Sequence, residues 1–162
     1  MPEVICSTSP LQYLHQIRLL HILPVLVSSI VVPPAVIEEL AAGRIGGVDV
    51  PDVGSLAWVS VRVPKALSAL PLVSDLGPGE TEVLMLALES TDPLVIIDDG
   101  RARQIAGALR LPLKGTLGLL LDAKRRGIVT AVKPHLDSLQ DLRFRVAPET
   151  RQAVLDLANE KE

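Results

Sequence analysis

The amino-acid sequence predicts an α/β fold built on a mainly parallel, doubly wound sheet. Three observations predict it. Strand-like and helix-like segments alternate along the whole chain, the pattern left by repeated right-handed crossovers. Leu94-Val95-Ile96-Ile97 is a continuous apolar run, as expected of a strand covered on both faces. Of the 162 residues, 48% are apolar and only 2% aromatic. That is enough aliphatic material for one sizeable core, and the length suits one domain spanning residues 1–162.

Each element has its own local reason. Glu3-Val4-Ile5-Cys6 reads as a short first strand. Ser9 suits a helix N-cap, with Pro10 at the first helical position and Gln12 closing a capping box. Leu11, Leu14 and Arg18 follow at helical spacing. Ile30-Val31-Val32 is a second strand. Pro33 and Pro34 open a helix over Ala35–Ala42, which Gly43 is expected to stop. Residues 43–57, rich in Gly, Pro and Asp, read as an irregular surface loop. Trp58–Val63 alternates like a strand. Gly77-Pro78-Gly79 introduces a helix over Glu80–Glu89. After the buried run come a helix over Arg101–Arg110, a short extended Leu111-Pro112-Leu113, and a helix over Thr116–Arg126 ended by Gly127. The tail reads as a helix near Pro134–Gln140, an edge strand Phe144-Arg145-Val146, and a C-terminal helix, Glu149–Asn159, within the last segment 148–162.

Composition narrows the function classes. A single cysteine, Cys6, allows no intrachain disulfide and no cysteine zinc site, which fits a reducing cytoplasm. The N-terminus lacks the basic and apolar regions of a signal peptide. The longest apolar candidate, Ile22–Ile37, is interrupted by Pro24, Pro33 and Pro34 and falls short of the ~18 residues that cross a bilayer. No membrane partner is expected. Few aromatics argue against base stacking as the main grip on nucleic acid. Net charge is −3, but its distribution is uneven. Residues 1–99 carry 4 basic and 12 acidic side chains, and residues 100–162 carry 12 basic and 7 acidic. Such asymmetry can pair an acidic, cation-binding pocket with a phosphate-attracting rim. The apolar density of Leu19, Leu20, Ile22 and Leu23 suggests a homodimer interface.

Chemistry points first to Asp98 and Asp99, which follow the buried strand directly. In open α/β sheets the functional crevice lies outside the carboxyl ends of the strands. Adjacent carboxylates there repel each other unless a cation or donor relieves them. Neighbouring strand residues face opposite ways, so one of the pair should enter the crevice while the other caps the following helix. Asp-Asp-Gly is equally a common turn sequence. Glu80 opens its helix, where the macrodipole favours a carboxylate in any case. The Gly-Pro-Gly turn lets that helix start approach a neighbouring strand end. Either Glu38 or Glu39 must face inward if Val36, Ile37 and Leu40 are buried. Thr116 suits an N-cap, or a hydroxyl and N–H presented to a phosphate. His15, His21 and His135 have no metal-ligand spacing, and Cys6 reads as a small buried hydrophobe. No nucleophile-elbow glycines surround Ser7, Thr8 and Ser9.

Six segments occur in a telling order. They are Thr8-Ser9-Pro10-Leu11, Pro33 to Leu40, Leu76-Gly77-Pro78-Gly79-Glu80, Ile97 to Arg103, Gly115-Thr116-Leu117-Gly118 and Ala123-Lys124-Arg125-Arg126-Gly127. Together they resemble a prokaryotic subfamily of PIN-domain-like proteins, over about residues 3–147. The resemblance implies a three-layer α/β/α, Rossmann-like fold. It also implies a Mg²⁺- or Mn²⁺-dependent ribonuclease, commonly the toxin of a toxin–antitoxin pair held by a small antitoxin protein. Carried over by residue, the acidic site falls on Glu39, Glu80 and Asp99, with Asp98 adjacent and Thr116 nearby. The first acidic position of the family falls on Ser7, a neutral hydroxyl. Three carboxylates suit one hydrated ion and hold a second poorly. Arg101, Arg103, Lys114, Lys124, Arg125 and Arg126 would form the nucleic-acid rim. The alternative, favoured by Ser7, is a catalytically impaired PIN-like module that acts by binding protein or RNA.

Overall fold

The chain is described from a computed structural model covering residues 1–65 and 75–162. Its centre is a five-stranded, all-parallel sheet: β1 (Glu3–Cys6), β2 (Ile30–Val32), β3 (Val59–Val61), β4 (Pro93–Ile96) and β5 (Leu113–Lys114), in the order β3-β2-β1-β4-β5. The order reverses between β1 and β4, so the crevice of a doubly wound sheet opens beyond the ends of those two strands. Register places Cys6 beside Ile96, and Ile96 beside Lys114. Val4, Ile5, Cys6, Val95, Ile96 and Ile97 are buried, as strands covered on both faces should be.

Helices flank the sheet in a three-layer α/β/α arrangement. They are α1 (Thr8–Gln16), α2 (Ile22–Val27), α3 (Pro34–Ile45), α4 (Pro78–Glu89), α5 (Gly100–Ala108), α6 (Thr116–Arg125), α7 (Lys133–Asp141) and α8 (Pro148–Leu157). α3 packs on α4, α1 touches both α3 and α6, and α8 closes on α6. The core is aliphatic, with Leu11, Leu14, Leu84, Leu86, Leu119 and Leu120 fully buried. Among the described residues no helix is long and apolar enough to cross a membrane.

Several expectations are corrected. α1 begins at Thr8 with Ser7 as N-cap, and Ser7 makes no side-chain capping bond. Ser9, the residue expected to cap, is engaged across the molecule instead and bonds Asp98; its neighbour Thr8 donates to Glu39. α3 runs through Gly43 to Ile45 and ends where Gly47 takes φ +85°, a left-handed backbone that favours glycine. The loop after it is pinned by buried Val50, Pro51 and Val53 and holds a 3-10 turn over Val53–Ser55. α2 was not legible because of Pro24, yet Pro24 is the third residue of that helix, where its missing N–H has no partner to lose. Phe144–Val146 is not a strand. Arg143 N–H donates to Gln140 and Phe144 N–H to Leu139, so these donors close α7 rather than pair with a sheet. Of the four residues that suggested a homodimer face, Leu19, Ile22 and Leu23 are buried by the chain itself and Leu20 is half-buried.

Candidate active site

Three carboxylates meet at the carboxyl ends of the central strands. Glu80, Asp98 and Asp99 line one cavity of about 550 Å³, with Ser9, Tyr13, Arg143, Phe144 and Arg145 around it. The sheet explains the placement of Asp98. Ile96 pairs with Lys114, so two residues further on Asp98 stands opposite Thr116. Thr116 N–H donates to Asp98 Oδ1 at 2.8 Å, and the Thr116 hydroxyl donates to Oδ2 at 2.6 Å. Burial pushes the Asp98 pKa up. The two Thr116 donors, the Arg103 charge and the Ser9 hydroxyl oppose the rise without cancelling it.

Asp99 turns the other way. Its Oδ2 accepts the N–H of Ala102 at 2.9 Å and caps α5, while the residue still borders the cavity. One aspartate therefore enters the crevice, and its neighbour caps a helix beside it.

Glu80 and Glu39 converge through glycines. Glu39 is half-buried on α3 and Glu38 is exposed. Thr8 Oγ1 donates to Glu39 Oε1 at 2.5 Å, and Gly79 N–H donates to Oε2 at 3.3 Å. A Cβ on Gly79 would lie 2.1 Å from Glu39 Oε1, so only glycine lets the carboxylate reach this backbone. Glu80 Oε2 and Glu39 Oε2 lie 2.8 Å and 3.9 Å from the point that a Cβ on Gly77 would occupy. Burial raises the Glu80 pKa, and the negative charges of Glu39 and Asp99 raise it further. No cation pairs with Glu80 among the described residues. Glu82, on the same helix, is also raised, by burial first and then by Glu38 and Glu39.

Ser7 is 2% exposed at the end of β1. Its N–H donates to Ile96 O at 3.0 Å, which continues the β1–β4 pairing. The six basic residues expected on the rim have diverse surroundings. Arg103 Nη1 donates to Ile97 O at 2.9 Å beside Asp98, and Arg101 pairs with Asp75 at 3.0 Å. Lys114 pairs with Asp122, as does Arg125 at 3.2 Å. Lys124 binds Glu160 at 2.9 Å, and Arg126 donates to Val25 O at 2.9 Å. Lys114, Arg125 and Arg126 also border an apolar groove with Met1, Val4 and Leu94, near the amino-terminal ends of the strands. None of the six lines the acidic cavity itself; Arg103 and Lys114 line a neighbouring cavity that shares Asp98 with it.

Sequence reasoning missed Tyr13, Arg143, Phe144 and Arg145. A signal existed: Tyr13 and Phe144 are the chain's single tyrosine and single phenylalanine, and an arginine flanks Phe144 on each side. Their rings meet edge to face, with centroids 5.0 Å apart.

A family model described as a PIN domain matches residues 3–160. The chain belongs to the PIN-domain family. No curated protein and no solved structure matches it. PIN domains are nuclease-type, act on nucleic acid and generally use divalent metal ions. The donor set of this PIN domain fits such an ion in kind, because it consists of carboxylate and hydroxyl oxygens, which suit hard cations. Among the described residues no three His, Cys, Asp or Glu side chains stand close enough to ligate an ion together. An ion that keeps several of its waters needs only one or two carboxylates from the protein.

Proposed function

We propose that this PIN domain is a metal-dependent endoribonuclease, the toxin of a toxin–antitoxin pair restrained by a small antitoxin protein. The observation that carries the reading is Glu80. It is half-buried and lacks a cation partner among the described residues, and the charges of both Glu39 and Asp99 act against its ionised form. Such an arrangement is unfavourable on its own and is relieved by a bound cation. Glu80 and Asp99 would hold a hydrated Mg²⁺ or Mn²⁺, with Glu39 reaching it through water. Bound there, the ion supplies an activated water and neutralises charge on the phosphate. Asp98 stays anchored on Thr116 and fixes the floor of the cavity. The RNA substrate, the choice of Mg²⁺ or Mn²⁺ and the antitoxin rest on the likeness to toxin ribonucleases together with this acidic site.

The neutral, buried Ser7 favours a second reading, a PIN module that binds RNA or protein without cutting. One assay separates the two. A labelled single-stranded RNA is incubated with the protein in Mn²⁺, Mg²⁺ or EDTA, beside Glu80→Gln and Asp99→Asn. The nuclease reading predicts cleavage in metal and none in EDTA. It also predicts losses in both variants beyond the roughly 10–100-fold that outer-shell partners of a metal cost. Metal-independent cleavage, or no cleavage by the unaltered protein, ends it.

A further inference from the structure

Arg143 and Arg145 border the acidic cavity, are exposed, and make no side-chain hydrogen bond or ion pair among the described residues. Arg62, Arg101, Arg125 and Arg151, by contrast, pair with carboxylates. Three carboxylates share the cavity with them, yet neither guanidinium pairs with any. Two cations beside anions that they leave alone are available to an anion brought from outside. The segment is also firmly placed. Arg143 takes φ 67° where α7 ends, and the next N–H returns to Leu139. Phe144 then packs its ring edge-to-face with Tyr13. A non-glycine residue held in the left-handed region marks a turn that the surroundings enforce. The turn sets an arginine on each side of the aromatic pair.

The cavity does not end there. A second one of about 600 Å³ shares Asp98, Phe144 and Arg145 with the first and continues past Arg103, Lys114 and Gly115. The two form a path that crosses the acidic residues and has cationic groups on both sides of Phe144. An extended strand lying in it would meet guanidinium groups at its phosphates and an aromatic wall at a base, the combination by which proteins grip single strands.

We propose that Arg143 and Arg145 are positioning residues that hold phosphates of a single-stranded RNA flanking the acidic cavity, with Tyr13 and Phe144 forming the wall for one base between them. This deepens the endoribonuclease reading and rests on it. Guanidinium groups bind phosphate bidentately and keep their charge at any working pH. Placed beside carboxylates that repel RNA, they set where along the strand the phosphate enters.

The test is salt-dependent binding of a fluorescein-labelled single-stranded RNA, read by anisotropy in EDTA. It uses the Glu80→Gln background, which removes cleavage and one repelling charge. Arg143→Asn/Arg145→Ala is compared with Arg143→Lys/Arg145→Lys, asparagine being tolerant of the left-handed backbone. Two lost phosphate contacts should flatten the slope of log K against log salt by about 1.4, at roughly 0.7 per contact on single strands. The lysine pair should restore most of that slope. Melting curves check that the variants fold, and Arg145→Gln alone, expected to lose about half as much slope, serves if the double variant does not. An unchanged slope, or no binding by the Glu80→Gln background, overturns the proposal. The nuclease reading is judged apart, by cleavage with the arginines intact: metal-dependent cleavage beside an unchanged slope would remove the arginines' role and leave the nuclease standing.

Discussion

A methyl group on Gly79 would meet Glu39 Oε1 at 2.1 Å, so one hydrogen atom's worth of space decides where a carboxylate of the candidate site rests. Gly79→Ala must displace Glu39 and break its bond from Thr8. The carboxylate is the free end of a flexible side chain and can swing away, so the cost is that of its lost hydrogen bond, about 1.5–3 kcal/mol for a charged group, and at roughly 2–4 °C per kcal/mol for a chain of this size the melting temperature should drop measurably. The rise in melting temperature on adding Mn²⁺, expected by mass action for the unaltered protein, should shrink with it. Glu80 predicts the opposite sign. Without metal its charge is opposed by burial, by Glu39 and by Asp99, so Glu80→Gln should raise the melting temperature in EDTA, by the roughly 0.5–2 kcal/mol that stabilising substitutions commonly give, and should abolish the response to Mn²⁺. Calorimetry in EDTA and in Mn²⁺ reads both. A Glu80→Gln variant that melts lower in EDTA would contradict the view that this carboxylate awaits a cation.

At the scale of elements, the register of β4 against β5 does most of the positioning. It brings Asp98 opposite Thr116, whose hydroxyl and N–H both donate to it. Thr116 is fully buried. Thr116→Val leaves a buried carboxylate oxygen short of a donor and should destabilise by about 1–3 kcal/mol, with Thr116→Ser near the parent; chemical denaturation measures this, and equal losses in both variants would show that packing, not the hydroxyl, matters. Much of this level was legible in the sequence. The apolar run before Asp98, Gly-Pro-Gly before Glu80 and the proline pair before α3 are local signals, and local signals report elements well. What stayed hidden depended on distant partners. Ser9 was available as a cap until Asp98, 89 positions away in sequence, engaged it. Phe144–Val146 alternates like a strand because Phe144 turns inward to Tyr13, not because a neighbouring strand is there. Lys124 read as a rim residue, since nothing local reveals that Glu160, 36 residues on, binds it.

Across the whole molecule, two ionised groups tie remote segments together. Glu3 in β1 binds Arg62 just past β3 and Ser90 just past α4, and those contacts pull its pKa to about 2. Burial alone would raise the Glu160 pKa, but Lys124 and the N–H groups of Val132 and Lys133 prevail and bring it to about 2. A depressed carboxylate pKa contributes stability that is complete above its unfolded value of 4.5 and is lost as pH falls from there through about 2. Asp98 and Glu82 are raised. They bind protons more readily when folded, so they favour the folded state slightly as pH falls toward their raised values. The melting temperature should therefore hold or rise gently on acidification toward pH 4.5 and then fall. Glu160→Gln should lower the plateau by about 1.5–3 kcal/mol, the worth of a hydrogen bond to a charged group, and soften the fall below pH 4.5. A pH series of melting curves reads both effects, and an acid limb that is identical in the variant would show that Glu160 does not anchor the C-terminus.

The proposed binding of one hydrated cation by Glu80 and Asp99 is tested most directly by anomalous diffraction from crystals grown with Mn²⁺. The expected result is a Mn²⁺ peak in the cavity between Glu80 and Asp99, ligated by at least one of them and by water, and absent from Glu80→Gln crystals grown in the same drop conditions. A cavity without such a peak at saturating Mn²⁺, or a peak that persists unchanged in Glu80→Gln, would contradict it.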